Sequence, residues 1–162
     1  MRAAYALAQA RAENPDGQTL FVQFSEEESG EGQMGLMDVL LGQCVLDDAL
    51  GVEGSLVVLG RGSGGECPPH LWRSQKMQGL IAELRRRFDS IIFHVAPVEL
   101  ADDALNLAPI ADGSICVIRA DGTRREVVQR AIDMINETHG SVLGAVLIDR
   151  TQHIPNVVYR RI

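Results

Sequence analysis

Five short apolar runs, at residues 19–24, 55–59, 90–95, 114–119 and 142–148, constrain this chain more than any other feature. Their apolar residues show no clean alternation with polar ones, so they predict strands buried on both faces. Helical spacing fills the intervals. A first helix covers 3–11 and is ended by Asn14-Pro15-Asp16-Gly17. Short helices at 34–41 and 45–50 are punctuated by Gly42 and Gly51. A long helix over 71–88 follows Pro68-Pro69, with Leu71, Trp72, Met77, Leu80, Ile81 and Leu84 apolar. A polar helix covers 99–108. Another over 123–138 carries Val127, Val128, Ala131, Ile132 and Ile135 on one face, and 153–162 form a tail. Both-face strands alternating with helices predict an α/β class, with helices on both faces of a mostly parallel sheet in three layers. The 162 residues show no repeat or linker, so the expectation is a single domain over 1–162.

Charge narrows the function classes. The chain has 15 basic and 22 acidic residues and a net charge of −7. Residues 1–54 hold ten acids and two bases, a net of −8, while the remainder is nearly balanced. A nucleic-acid binder needs a basic face to neutralise phosphates, so nucleic acid is excluded as a partner. No apolar run approaches the length of a membrane span, and 1–12 lacks the apolar block of a signal peptide, which predicts a cytoplasmic protein without direct membrane insertion. Cys44, Cys67 and Cys116 are odd in number and at no metal spacing, as a reducing compartment allows. Cys44 and Cys116 lie in apolar runs and read as small core residues.

The order of motifs is specific. Gly35-Leu36-Met37-Asp38-Val39-Leu40 precedes Gly42. After Pro69 come Leu80-Ile81, Leu84, Phe88-Asp89 and Ile91-Ile92-Phe93-His94-Val95-Ala96-Pro97-Val98. Further on stand Asp103-Ala104, Leu107-Ala108, Ala111-Asp112-Gly113, Val117, Arg119 and Thr123, then Val142-Leu143-Gly144 and the ending Ile154-Pro155 to Tyr159-Arg160-Arg161. Across about residues 3–162 this series resembles the bacterial tyrosine autokinases, P-loop proteins of capsule and exopolysaccharide export related to partition and septum-site ATPases. The resemblance implies a P-loop NTPase-like fold.

It also implies where the chemistry would sit. Phosphoryl transfer rests on a P-loop lysine, Mg²⁺ ligands and backbone N–H groups around the phosphates. In the family the P-loop strand would lie before Tyr5, and the chain starts at Met1 inside the following helix, so that strand and its lysine are expected to be missing. The lone lysine, Lys76, falls in a later helix. Gly30-Glu31-Gly32-Gln33-Met34 lacks the lysine and hydroxyl of a P-loop and is flanked by Glu26, Glu27 and Glu28, which repel a triphosphate. The two aspartates after the second family strand are Gln23 and Ser25 here. The Walker B aspartate is His94, and the base-contacting asparagine is Asp149. An amide and a hydroxyl bring no charge to Mg²⁺, imidazole suits softer metals, and a carboxylate lacks the amide's donor.

The expectation is therefore a degenerate relative with no catalytic residues, no cofactor and no metal. It would act in polysaccharide biosynthesis through an inner-membrane co-polymerase or an active kinase, and reach the inner membrane by way of that partner. The alternative is an active tyrosine kinase whose P-loop lies outside this chain. Loss of the P-loop strand would oblige strand 90–95 to pair with another internal strand, 114–119 being the expected one, or leave an apolar edge that favours a homo-oligomer or a partner.

Other candidates have plainer readings. His94 ends a strand, where α/β sheets bind ligands, and is a candidate acid–base group, although a packed structural histidine is the favoured reading. Cys67 before Pro68-Pro69-His70 invites a Cys–His nucleophile, but no third group orients it. His139 and His153 share no metal spacing. Arg85-Arg86-Arg87 and Arg124-Arg125 read as solvated helix ends, the former complementing the helix dipole.

Overall fold

Strand β1, Thr19–Gln23, lies between two parallel neighbours, and this placement explains why its sequence lacks a polar face. The computed structural model describes residues 2–14, 17–24, 33–63, 68–98, 100 and 102–149. Its chain divides into two compact units, Met1–Asn106 and Leu107–Ile162.

Unit 1 runs α1 (Arg2–Ala12), β1, α2 (Leu36–Leu41), α3 (Leu46–Ala49), β2 (Leu50–Glu53), β3 (Leu56–Leu59), α4 (Pro69–Trp72), α5 (Gln75–Arg87) and β4 (Ser90–His94); α6 (Asp103–Leu107) starts in it and its last residue opens unit 2. The sheet order is β2-β3-β1-β4, parallel except for β2. Phe21 is in register with Val58 and Ile92 and joins Ala8 and Leu56 in a cluster with Ala4, Tyr5 and Ala12 of α1. Leu20 and Val22 point to the opposite face, as does Phe24, whose ring lies 5.5 Å from Trp72 of α4 and 6.3 Å from Phe93. Different helices thus cover the two faces, as a parallel sheet requires. The class is the expected one, mixed α/β with a mostly parallel sheet.

Several local readings differ from the structure, the helix expected over 99–108 among them, which is Asp103–Leu107 among the described residues. The single helix expected over 71–88 is two helices. Ser74 separates them: its hydroxyl donates to the Leu71 carbonyl at 2.7 Å and accepts the Met77 N–H at 3.2 Å, capping α5. Beyond that cap, Met77, Leu80, Ile81 and Leu84 are buried at helical spacing. The helix expected over 45–50 stops at Ala49, and β2 turns through Gly54–Ser55 to pair antiparallel with β3. Gly54 supplies the left-handed conformation (φ +65°) of that tight hairpin. Finally, β4 pairs with β1, and not with 114–119. The β1 strand offers five residues in register with β4, each apolar pair facing a covered side.

In unit 2, β5 (Ser114–Arg119) pairs in parallel with β6 (Val142–Ile148), with an irregularity between Ser114 and Ile115, and α7 (Arg125–Glu137) connects them. Ile135 is the buried anchor of α7. Cys44 and Cys116 are half-buried free thiols, and burial pushes both up from the usual thiol range, Cys44 with help from Asp38 and Asp48. Among the described residues no helix is long and apolar enough to cross a membrane. The acidic loop at 26–31, Cys67 and the tail 153–162 lie outside the described residues.

Truncating Phe21 to alanine should cost about 3–5 kcal/mol, because the side chain is fully buried and the cavity would sit between sheet and helix. Val127→Ala, on an exposed part of α7, should stay within about 0.5 kcal/mol. Urea unfolding monitored by circular dichroism measures both.

Candidate functional site

The connections after β1, β3 and β4 leave the same edge of the parallel sheet. The chain passes from β1 to β3 on one flank and returns to β4 on the other, so the strand order reverses at β1. Open α/β sheets bind ligands at the carboxyl ends of strands at such a reversal. Here Gln23 and His94 are register partners, and the Phe24 N–H donates to the His94 carbonyl at 2.8 Å. The His94 imidazole is stacked on the Phe21 ring (6.0 Å between centroids, 20° between planes). Tyr5 meets the same ring edge-on at 5.7 Å. The Tyr5 hydroxyl donates to Glu53 Oε2 at 3.0 Å, and this bond, with burial and the carboxylate charge, pushes the phenol above its usual pKa.

Beside this end of the sheet lies a buried carboxylate. Asp38, fully buried in α2, accepts the Gly35 N–H at 2.8 Å, the Ser63 N–H at 3.1 Å and the Ser63 hydroxyl at 2.7 Å. Burial by itself raises the carboxyl. The donors from Ser63 and Gly35 outweigh it, and the result lies below the usual carboxylate range. The clasp ties the start of α2 to the loop after β3. Backbone bonds Leu36 N–H to Gly60 O (3.0 Å) and Met37 N–H to Arg61 O (2.9 Å) continue it. Gly62 has φ +91°, and an added methyl at Gly62 or Gly35 would fall on Asp38 or on opposing backbone.

Farther along the same edge, Arg61 Nη1 lies 3.9 Å from Asp103 Oδ2, with side chains 10% and 9% exposed. Lys76 Nζ reaches the Leu40 carbonyl at 3.4 Å, near the C-terminus of α2, so the lone lysine has a structural partner in the same unit.

The sequence-derived positions fall in both units. Gln23 and His94 meet at the carboxyl edge of unit 1. Asp149 belongs to unit 2, where it has φ +55° and its Oδ2 lies 3.5 Å from Arg119 Nε with both side chains exposed. Ser25 is outside the described residues. Mg²⁺ favours carboxylate oxygen, and the Gln23–His94 pair offers an amide and an imidazole; this donor set does not fit the ion. Among the described residues no group of three His, Cys, Asp or Glu side chains could hold a metal. A hollow of about 400 Å³ is lined by Arg125, Glu126, Gln129, Arg130 and Asp133, all from α7 and of mixed charge.

Sequence reasoning gave no site role to Asp38, Ser63, Arg61 and Asp103, although Asp38 and Asp103 stand in the motif series. The first has a faint local signal, since Asp38 stands at the third position of α2 and accepts the N-cap N–H as in a capping box. Glycine at the cap and aspartate in place of glutamate hide the pattern. The Arg61–Asp103 pair has no local signal.

Asp38→Ala should destabilise the protein by about 2–4 kcal/mol, since one buried and two partly buried donors lose their acceptor. The folded carboxyl is held low, so its contribution is full above the ordinary carboxylate pKa, about pH 4, and is lost as pH falls through the lower folded value. Urea midpoints at successive pH values below about 5 should therefore fall more steeply in the parent than in Asp38→Asn. Gly62→Ala should cost about 1–3 kcal/mol in the same assay, because the left-handed φ and the close approach both oppose a side chain.

Comparison with known proteins gives a consistent family. No family model matches the chain. It is 31% identical over 119 residues to the tyrosine-protein kinase YwqD of Bacillus subtilis, covering 72% of this chain and 50% of that protein. Against the tyrosine-protein kinase CpsD of Streptococcus pneumoniae it is 30% identical over 122 residues, covering 74% and 53%. The chain thus spans about half the length of these curated relatives. Among solved structures the VpsO kinase domain superposes with a TM-score of 0.81 at 25% identity, covering 93% of this chain and 77% of that one.

Proposed function

The chain is a homologue of the bacterial tyrosine-protein kinases with the fold of their kinase domains, and from that premise we propose that it is a non-catalytic member, a regulatory or interaction component. The observation that carries this reading is the Gln23–His94 pair at the carboxyl edge of β1 and β4. Phosphoryl transfer depends on positioning and on charge neutralisation by Mg²⁺ held on carboxylates. By the resemblance, these two positions would supply acidic groups; here they supply an amide and an imidazole. The ring of His94 is stacked on Phe21, which supports a packing role.

Asp149 extends the argument in unit 2. At the position of the base-contacting asparagine it presents a carboxylate, which is paired with Arg119. A carboxylate accepts hydrogen bonds but donates none when ionised, so the two-way recognition an amide gives a purine is lost.

The role follows from the family in which the departures occur. The resemblance implies polysaccharide biosynthesis and export at the inner membrane, with a co-polymerase or an active kinase as partner. Surfaces outside the altered edge would serve that contact.

Titration calorimetry of the purified chain with Mg-ATP should show no saturable heat, and anti-phosphotyrosine blots after incubation with Mg-ATP should stay blank. Saturable binding, or phosphotyrosine on the chain or on an added tyrosine peptide, would overturn the reading in favour of an active kinase.

A further inference from the structure

We propose that the outer edge of β6 is a docking surface for the β6 of a second copy of this chain, the two strands pairing antiparallel about a twofold axis at Val146. Among the described residues β6 has β5 as its one neighbour, so its other edge presents backbone donors and acceptors with no strand beside them. The ladder shows which groups these are. The Ala120 N–H donates to the Ile148 carbonyl at 2.9 Å, so Ile148 turns its backbone groups to β5, and alternation gives Val146 and Gly144 the same direction. Ala145 and Leu147 therefore turn their N–H and C=O groups outward. All of these residues lie beyond the irregularity at the start of the pairing.

This edge is complementary to itself. With the axis at Val146, Ala145 stands opposite Leu147 of the second copy, and outward-facing residues so placed exchange both of their N–H···O bonds. Size matches as well: Gly144 meets Ile148, Ala145 meets Leu147, and Val146 meets its own counterpart, so a small residue faces a large one on either side of the axis. The association has apolar surface to cover, since Leu147 is 63% exposed and Val146 45%, on a parallel strand of the kind that is ordinarily buried. Edges that stay single are blunted by charge, proline or a bulge, and residues 144–148 contain no charge and no proline. Strand β5, by contrast, includes Arg119. The proposal concerns unit 2 by itself, and it holds whether or not the chain turns over ATP.

Light scattering on the full chain tests the pairing. The parent should show a dimer mass at about 100 µM and a monomer mass below about 1 µM, since an edge-to-edge contact is small. Val146→Lys sets like charges opposite each other at the axis and should be monomeric at both concentrations, while Val117→Lys, on the neighbouring strand, should dimerise as the parent does. Val146→Cys should give a disulfide-linked dimer under mild oxidation, because residues facing each other in this way stand about 4.5 Å apart between Cα atoms, within disulfide reach. Val117→Cys, separated from its counterpart by both β6 strands, should link no more than the parent with its native cysteines. A parent that is monomeric at the higher concentration, including one whose own residues 150–162 take up the edge, would overturn the proposal. So would a dimer that survives Val146→Lys. Should Val146→Lys lose its far-ultraviolet dichroism, the cysteine variants carry the comparison: linkage specific to position 146 supports the pairing, and linkage that is absent or equal at 117 refutes it.

Discussion

Leu20, Phe21 and Val22 are withdrawn from water on both faces of β1, and much of unit 1 follows from satisfying that one strand. Its backbone pairs with β3 on one side and β4 on the other. Its Phe21 side chain packs with α1, and Phe24 just beyond it packs with Trp72. Burial of such aliphatic and aromatic side chains contributes roughly 1.5–3 kcal/mol each, more than the net worth of most individual hydrogen bonds in a fold. The parallel arrangement also sends the connections after β1, β3 and β4 to one edge.

At that edge several described polar groups bond within the chain. Asp38 takes three donors from Gly35 and Ser63, Arg61 faces Asp103, and the His94 ring lies on Phe21. In a nucleotide-binding relative an edge of this kind holds phosphate and Mg²⁺ against fixed donors and carboxylates. Here the buried carboxylates serve internal partners, and Gln23 and His94 line the reversal of strand order. A fold of this kind depends on apolar strands and a few loop clasps. Phosphoryl transfer depends on a different, smaller set of side chains, and those can change without disturbing the packing.

Much of the fold was legible because periodicity is strong in these segments. The bounds of β5 and β6 are those expected, and β1, α1 and α7 differ from expectation by a residue or two. The break between α4 and α5 was not seen, since apolar spacing continues through Trp72 and Met77 while the hydroxyl of Ser74 ends one helix and caps the next. Strand β2 was hidden by its composition: Gly51, Val52 and Glu53 are exposed on an edge and carry no buried pattern. Of the site, Gln23 and His94 were found because a family motif marks their positions. The Asp38–Ser63 clasp was not, because its two halves are 25 residues apart and neither half is unusual alone.

By itself the sequence determined most of the segments that become strands and helices and, by resemblance, which side chains would stand at the family's chemical positions. Both are properties of neighbouring residues, expressed through periodicity and motif spacing. Only the tertiary structure decided that β4 lies against β1, that Asp38 clasps the loop after β3, and that Arg61 meets Asp103. Those contacts join residues far apart along the chain. They form when the whole sheet and its helices close around β1, and no local pattern encodes the pairing of two distant charges.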